Sequence, residues 1–337
     1  MNKFWLSGSL AIALLVSGCS SKKYFEPENT FSAAKAQHAY GENIVDLSRD
    51  GGTLDNGSYL SKSGVNTLTL GESYRFLNEN TSYVLASNPE GLLKIIDKKT
   101  KKVLRIVSLH TPVVSATIKN GVIAYILNNN TFGVYNIKHN KKMIESRSEK
   151  IFAIDTRAAS PMFIENLVVM PMLDGKLIIV NMNNPENAKV VYISSEKAFN
   201  NVIYLSRLGN TMVAATPHRL ITLGNSGKKE YQANISEVAI DKNKIYIFTK
   251  EGKIILLNAN LEAQSARKFK FAHYSVATAF DNKVYALDQH GSLIVLNATL
   301  TKSKIYDLGS VDRPAFISGT TLYKDGDMIN LAQLGYE

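Results

Sequence analysis

The chain has 337 residues, of which 45% are hydrophobic and 20% are charged. This composition excludes wholesale disorder and collagen-like repeats, and the length fits one or two domains or a single large all-β domain. The formal net charge of +10 is compatible with nucleic acid, an anionic membrane or an acidic partner, so the cellular compartment must decide among them.

The N-terminus predicts export and lipid attachment. Lys3 precedes an apolar run over residues 4–16, which is too short for a folded membrane span but has the length of a secretory signal. The run ends in Leu15-Val16-Ser17-Gly18-Cys19, which resembles a bacterial lipobox. The resemblance implies cleavage before Cys19 and attachment of fatty acyl chains to its sulfur and its amine. The alternative is an ordinary buried cysteine in an N-terminal helix.

Cys19 is the only cysteine of the chain, which excludes disulfides, cysteine-based zinc sites and thiol catalysis from the folded part. In lipoproteins of this class, serine after the lipidated cysteine implies sorting to the outer membrane, and Ser20 occupies that position. We therefore expect a protein anchored by lipid to the periplasmic face of the outer membrane. An exported protein does not meet the chromosome, so no nucleic-acid partner is expected.

Three segments follow from this interpretation. Residues 1–18 form the signal peptide, residues 19–39 form a lipidated tether, and residues 40–337 form the folded domain. The tether is predicted because residues 20–37 are polar, contain Pro27 and show no sustained apolar period.

The rest of the chain repeats one pattern, in which an apolar strand, a tight turn and a second apolar strand follow each other. The copies centre on Gly91, Asn130, Gly175, His218, Gly252, Gly291 and Gly326. From the first centre to the last, 235 residues cover six intervals, a mean of about 39 residues per unit, at the edge of the period of four-stranded propeller blades.

Runs rich in Val, Ile, Tyr and Leu, bounded by Asn, Asp and Gly, predict strands rather than helices. The sequence therefore predicts an all-β propeller with four-stranded blades, and a linear solenoid is the alternative. Seven blades are favoured, with the ring closed by an N-terminal strand from residues 43–47 or 65–70, because the last unit lacks a fourth strand. Eight blades result if residues 40–72 form more than one closing strand.

Three segments resemble the repeat of the quinoprotein family. They are Leu93 to Arg105, residues 284–288 and residues 293–297. Lys101 stands where the repeat has glycine, and Arg105 stands where it has tryptophan. Trp5, in the signal segment, is the chain's only tryptophan, so the indoles that dock blades and cover the quinone in that family are absent. The departures argue against bound quinone and dehydrogenase chemistry, and no cofactor is expected.

A lipobox followed by such a propeller resembles the BamB family of outer-membrane assembly lipoproteins. The resemblance implies a non-catalytic scaffold of the β-barrel assembly machinery, with a BamA-like barrel protein as the suspected partner. The alternative function is an envelope enzyme or ligand-binding propeller that uses its central channel. Arginines, histidines and carboxylates converging at the channel mouth would favour the enzyme.

Residue patterns of catalysis and metal binding are missing. None of the six histidines belongs to a His-Glu-x-x-His motif. Asp174-Gly175 and Asp325-Gly326-Asp327 lack the spacing of a calcium loop and are interpreted as turns. The sequence therefore predicts neither catalytic residues nor a metal site.

Lysines collect in the turns between third and fourth strands. Equivalent turns of every blade lie on one face of the disc, so these lysines predict a basic docking face for an acidic partner or anionic lipid. The alternative is an ordinary solvated rim. The candidates are Lys98, Lys99, Lys101, Lys102, Lys138, Lys141, Lys142, Lys228 and Lys229, with Lys302 and Lys304 in a further unit. The second-to-third turns, on the opposite face, carry Glu90, Asp174, Glu251 and Asp325.

Overall fold

A computed structural model describes residues 23–151, 157–225 and 227–337 of the chain. Within these residues the strands form eight antiparallel sheets, each built mainly from consecutive strands of the sequence. We number the sheets as blades in chain order. Blade 1 contains Ile44–Ser48, Gly51–Leu54, Tyr59–Ser61 and Gly64–Asn66; blade 2 contains Arg75–Glu79, Tyr83–Ser87, Leu92–Asp97 and Val103–Ser108; blade 3 contains Val113–Lys119, Val122–Leu127, Thr131–Asn136 and Lys141–Arg147; and blade 4 contains Met162–Ile164, Leu167–Pro171, Lys176–Asn181 and Asn184–Tyr192.

The second half of the chain continues the same order. Blade 5 contains Tyr204–Leu208, Thr211–Ala215, Arg219–Gly224 and Gly227–Gln232; blade 6 contains Ile235–Asp241, Lys244–Thr249, Lys253–Leu257 and Ala263–Lys268; blade 7 contains Tyr274–Phe280, Lys283–Asp288, Ser292–Asn297 and Ser303–Asp307; and blade 8 contains Phe316–Ser318, Thr321–Lys324 and Asp327–Asn330. A short 3-10 helix, Leu331–Gln333, follows blade 8.

The core lies between neighbouring blades. Leu85 of blade 2 packs in one cluster with Ile123 of blade 3, and Phe248 of blade 6 packs in another with Ala286 of blade 7. Phe316 of blade 8 packs with residues of blade 1, so the blades form a closed ring. Because each inner strand is covered on both faces, its side chains are apolar almost without interruption.

The prediction of an all-β propeller with four-stranded blades is confirmed, but the preference for seven blades is wrong, because the described residues form eight. Residues 40–72 contain a complete blade 1. The segments predicted to close the ring, residues 43–47 and 65–70, contribute instead to the first and last strands of blade 1. The last sheet obtains a fourth strand from Gln37–Ala39, which pairs antiparallel with Asp327–Asn330.

Residues 23–39, predicted as part of a tether, pack against the outer parts of blades 6, 7 and 8. The ring of Phe25 lies 5.9 Å from that of Phe269, and Phe31–Ser32 pairs parallel with the last strand of blade 7. Ala33 and Ala36, beside and within the 3-10 helix Ala34–Ala36, are buried. The segment crosses several blades, so it has no single hydrophobic period. Cys19 and the predicted signal peptide lie outside the described residues.

A glycine in the second-to-third turn connects that turn to the end of the fourth strand. In blade 7 the amide of Leu308 donates to the carbonyl of Gly291 at 3.0 Å, and blades 2, 4 and 6 repeat this hydrogen bond. Gly291 has a φ of 93°, which side chains disfavour, and an added Cβ would overlap the carbonyl of Gly309. The recurring glycine of the sequence pattern therefore has a conformational and a steric cause.

We expect Gly291→Ala to lower the free energy of unfolding by about 2 kcal/mol, because both causes act at this position. Gly121→Ala is the matched control, since Gly121 also has a positive φ of 74° but no atom within 4 Å of the added Cβ. Chemical denaturation of the two variants measures the difference. Equal losses would show that the close approach to Gly309 contributes nothing.

Candidate functional site

The first strands of the blades surround a central channel with a cavity of about 690 Å³. Apolar and polar side chains alternate along its wall, as in Ser275 and Val276 of blade 7. The charged residues that line this cavity are Arg49, Asp50, Lys62, Lys119, Arg157 and Glu237. The channel is therefore a candidate site for catalysis or ligand binding.

Arg49 crosses the channel. It lies in the first turn of blade 1, and its guanidinium donates two hydrogen bonds to Glu237 of blade 6, at 2.8 Å from Nη1 to Oε2 and 2.5 Å from Nη2 to Oε1. The Glu237 side chain is only 8% exposed, and the guanidinium carbon lies 5.6 Å from the ring centre of Tyr204 in blade 5. A two-point contact of this kind fixes both side chains, because the planar guanidinium matches the carboxylate.

Asp50, the next residue, extends the same connection. It is ion-paired with Lys62 of its own blade and accepts a hydrogen bond of 2.7 Å from Asn78 of blade 2. Burial would raise the pKa of Asp50, but Lys62 and the hydrogen bonds from Ser160 and Asn78 outweigh it and leave the pKa below its usual value. Asp50 is therefore ionised. Through Arg49 and Asp50, this one turn of blade 1 contacts blades 2, 4, 5 and 6.

Arg157 and Tyr204 are two further polar side chains of this region. Arg157 donates to the carbonyl of Ser236, and burial raises the pKa of Tyr204 to about 12, so its hydroxyl is neutral at physiological pH. No group of three His, Cys, Asp or Glu side chains within the described ranges is placed to hold a metal ion. Arginines and carboxylates do converge in the channel, but Arg49, Glu237 and Asp50 bind each other or neighbouring blades. We call the ion pair of Arg49 with Glu237, together with Asp50 and its partners, the channel brace.

The predicted docking lysines lie where the topology requires. In each blade the third-to-fourth turn is at the opposite end from the second-to-third turn, and we call the surface with the third-to-fourth turns the lysine face. Lys99, Lys101 and Lys102 are exposed there and make no ion pair with any described residue. The same holds for Lys138 and Lys141 of blade 3.

Other predicted lysines have partners. Lys142 pairs with Glu145 at 2.8 Å, and Lys228 pairs with Glu230 at 3.0 Å. Lys229 donates to Asn260 at 2.8 Å. Lys142 and Lys228 therefore contribute less charge to a partner than the sequence alone indicates, whereas Lys229 keeps its charge because Asn260 is neutral.

Lys98 has a different role from its neighbours. Its ammonium lies 2.7 Å from Glu79, whose side chain is only 8% exposed. Glu79 also accepts hydrogen bonds from Tyr59 at 2.7 Å and Ser61 at 2.5 Å. Although burial acts to raise the pKa of Glu79, these partners hold it below its usual value. Lys98 thus belongs to a connection between blades 1 and 2.

The opposite face is less acidic than its turns suggest. Asp174 lies 3.2 Å from Lys176, and Asp325 lies 2.9 Å from Lys324. The described chain also begins on this face, where the ring centres of Tyr24 and His290 are 4.3 Å apart. The ammonium of Lys23 lies 5.8 Å from the ring centre of Phe271 nearby.

Sequence reasoning found the lysine face and missed the channel brace. Arg49 and Asp50 form no motif with Glu237, because 188 residues separate Arg49 from Glu237. The one signal was the position of Arg49-Asp50 in a tight turn between two strands of a blade that the repeat pattern did not identify.

Within residues 23–151, 157–225 and 227–337, no helix has the length and hydropathy of a membrane span. No protein-family model matches the chain. The chain is similar to plasminogen-binding protein PgbB from two strains of Helicobacter pylori, with 28% identity over 320 residues and 29% identity over 316 residues. The alignments cover 81% and 80% of this chain but 58% of each relative, so the chain spans less than two thirds of their length.

Solved structures share the fold. BamB from Moraxella catarrhalis matches with a TM-score of 0.68 and 13% identity, covering 87% of this chain and 98% of that one. Sqt1 from Saccharomyces cerevisiae matches with a TM-score of 0.61 and 12% identity, covering 89% and 98%. At these identities the likeness establishes a BamB-like β-propeller architecture.

Proposed function

We propose that this protein is a non-catalytic, lipid-anchored scaffold of the bacterial envelope that docks an acidic protein partner on its lysine face. One observation carries the proposal. The charged residues that cross the channel bind each other, whereas Lys99, Lys101 and Lys102 are exposed without an ion pair in the described chain. Surface charge of one sign steers an oppositely charged partner and selects it.

The start of the described chain indicates how the disc is oriented if Cys19 carries lipid. Cys19 precedes Lys23 by four residues, and four residues span at most about 14 Å. Lys23 and Tyr24 contact the face opposite the lysines. A lipid on Cys19 would keep that face near the bilayer and turn the lysine face away from it, which favours an acidic protein over anionic lipid as the partner.

The outer-membrane β-barrel assembly complex is the partner that we favour, with a BamA-like barrel protein as the contacting subunit. The support is the likeness to BamB across 87% of the chain, together with the predicted lipobox at Cys19. In the channel brace, the charged side chains are paired with each other. This pairing supports a scaffold over the alternative of an enzyme that works through the channel.

Binding of plasminogen is a second candidate. The relatives are named for plasminogen binding, and their similarity covers 81% and 80% of this chain, so it includes most of the propeller. Both candidates assign the propeller to protein binding. Surface plasmon resonance of the purified protein over immobilised plasminogen separates them, since saturable binding would favour this second candidate.

We expect the triple substitution Lys99→Glu, Lys101→Glu and Lys102→Glu to weaken partner association by at least about ten-fold, because it reverses three exposed charges. The free energy of unfolding of this variant should differ from that of the wild type by no more than about 1 kcal/mol. Wild-type association should weaken as salt rises, since the screening length falls from about 10 Å at 0.1 M to about 3 Å at 1 M. Lys98 is left in place, because Glu at this position would face the buried Glu79.

The matched control reverses Lys250, Lys268 and Lys270, which are exposed on the opposite face of blade 6. Association with solubilised envelope complexes is measured for both variants after equal melting temperatures have been shown. Wild-type affinity in the first variant, or equal loss in both, would contradict a specific docking face.

A further inference from the structure

The outermost strand of blade 2, Val103–Ser108, has an outer backbone edge that pairs with no other described strand. Three large apolar side chains of this strand are about half exposed: Val103 at 51%, Leu104 at 46% and Ile106 at 49%. A free backbone edge with exposed apolar side chains is a template for pairing with another strand. We call Val103–Ser108 the blade 2 edge.

Outer strands of other blades carry the features that normally prevent such pairing. Lys141–Arg147 of blade 3 has four charged residues among seven, and Asn184–Tyr192 of blade 4 contains Pro185, Glu186 and Lys189. Blade 4 also exposes Val190 and Tyr192, but these follow the proline and the charges. The blade 2 edge carries Arg105 as its one charged residue.

The same molecule contains an example of strand addition at a blade's outer edge. Phe31–Ser32 pairs parallel with the last strand of blade 7, with Phe31 opposite Tyr306. The ammonium of Lys304 lies 4.3 Å from the ring centre of Phe31. An extended segment with an apolar side chain therefore fits the outer edge of a blade beside a basic residue.

Charges around the blade 2 edge define its occupant. Lys101 and Lys102 directly precede the strand, and the buried Nε of Arg105 has no hydrogen-bond acceptor in the structure. Arg105 adds a third positive charge to those of Lys101 and Lys102, so an acidic segment complements this edge. A second copy of this chain would bring the same positive charges against these, which disfavours pairing between two copies.

We propose that the blade 2 edge binds an extended segment of a partner protein, in which apolar residues alternate with Asp or Glu, by addition of a strand to blade 2. This inference rests on the proposed docking function and specifies its contact. Main-chain hydrogen bonds hold the segment, apolar side chains cover Leu104 and Ile106, and acidic side chains meet Lys101, Lys102 and Arg105.

The first test uses the full-length protein in detergent and a labelled ten-residue peptide of alternating Val and Glu. We expect saturable binding by fluorescence anisotropy and slower amide hydrogen exchange over residues 103–108. A peptide of alternating Ser and Glu has the same charge and should bind at least about ten-fold more weakly, since it buries little apolar surface. Equal binding of the two peptides, or binding without protection of residues 103–108, would overturn the proposal.

The second test uses the native partner. Leu104→Ser with Ile106→Ser removes apolar surface without changing charge, and Val190→Ser with Tyr192→Ser is the matched control on blade 4. We expect at least about ten-fold weaker association for the first pair only. If the lysine triple variant loses the partner while the Leu104 and Ile106 variant retains it, the docking face stands and the edge proposal fails. If neither variant loses it, both proposals fail.

Analytical ultracentrifugation of the wild-type protein tests whether a second copy of this chain occupies the blade 2 edge. We expect a monomer in the absence of partner. A dimer that the Leu104 and Ile106 variant abolishes would show that a second copy occupies the edge, and this result would overturn the proposal.

Discussion

Glu237→Leu is expected to lower the free energy of unfolding by about 3 kcal/mol, because it leaves the Arg49 guanidinium in the channel without its carboxylate. Arg49 donates two hydrogen bonds to Glu237 and has a side chain that is only 19% exposed. We place the loss at the low end of the range for buried pairs, since water can enter the channel. Urea denaturation measures it.

A double-mutant cycle tests whether the pair acts as a unit. Arg49→Met combined with Glu237→Leu removes both charges, and we expect it to lie within about 1 kcal/mol of the wild type, since an apolar pair can replace a buried ion pair. If the double variant instead loses the sum of the two single variants, the two residues act independently and the brace has no energetic meaning.

Cys19→Ser is expected to remove the protein from the outer-membrane fraction, leaving it soluble or held in the inner membrane by an uncleaved signal. Each buried methylene of an acyl chain contributes about 0.8 kcal/mol to membrane binding, so several chains anchor the protein durably. Cell fractionation followed by a high-salt wash measures the distribution.

Ser20→Asp is the matched variant for Cys19→Ser. It keeps the predicted acylation site and, by the sorting rule of bacterial lipoproteins, is expected to move the protein to the inner membrane. If Cys19→Ser still sediments with outer membranes after the wash, Cys19 does not anchor the protein. The orientation proposed for the disc would then lose its basis.

Seven of the eight blades were evident in the sequence because each carries one apolar, turn, apolar unit around a Gly, Asn or His centre. Blade 1 lacked this signature, because its second strand is Gly51-Gly52-Thr53-Leu54 and its strands are three to five residues long. Packing requires those glycines: a Cβ on Gly51 would meet the ring of Phe76, which stacks on Tyr59 with ring centres 4.8 Å apart. The requirement comes from other strands, since Leu60 and Ile44 of blade 1 also lie against these glycines, so it does not appear as a local pattern.

The candidate site, like the fold, could be predicted from the sequence only in part. The lysine face could be predicted because equivalent turns of a repeat share one face, whatever their side chains. The pairing of Lys98 with Glu79 could not be predicted, because it depends on how far the Lys98 side chain reaches beside blade 1. The brace of Arg49 and Glu237 depends on the ring having eight blades, which sets the residues that oppose each other across the channel.

Tyrosine and phenylalanine provide contacts between blades in this tryptophan-poor chain. Phe248 of blade 6 lies edge-on to Tyr274 of blade 7 with ring centres 5.7 Å apart. The hydroxyl of Tyr274 donates to the carbonyl of Gly252 at 2.8 Å. The missing tryptophans therefore bear on the quinoprotein resemblance and not on whether blades can dock.

In the proposed function, the lysine face is turned away from the membrane and docks an acidic envelope protein. A photo-crosslinking amino acid placed at Lys101 on that face, or at Lys250 on the opposite face, tests it directly in intact cells. We expect position 101 to form an adduct with one acidic envelope protein, identified by mass spectrometry, and we expect no adduct when isolated envelopes are irradiated in 1 M salt. Position 250 should not capture that protein. An adduct with the same protein from position 250 and none from position 101 would show that the lysine face is not the docking surface.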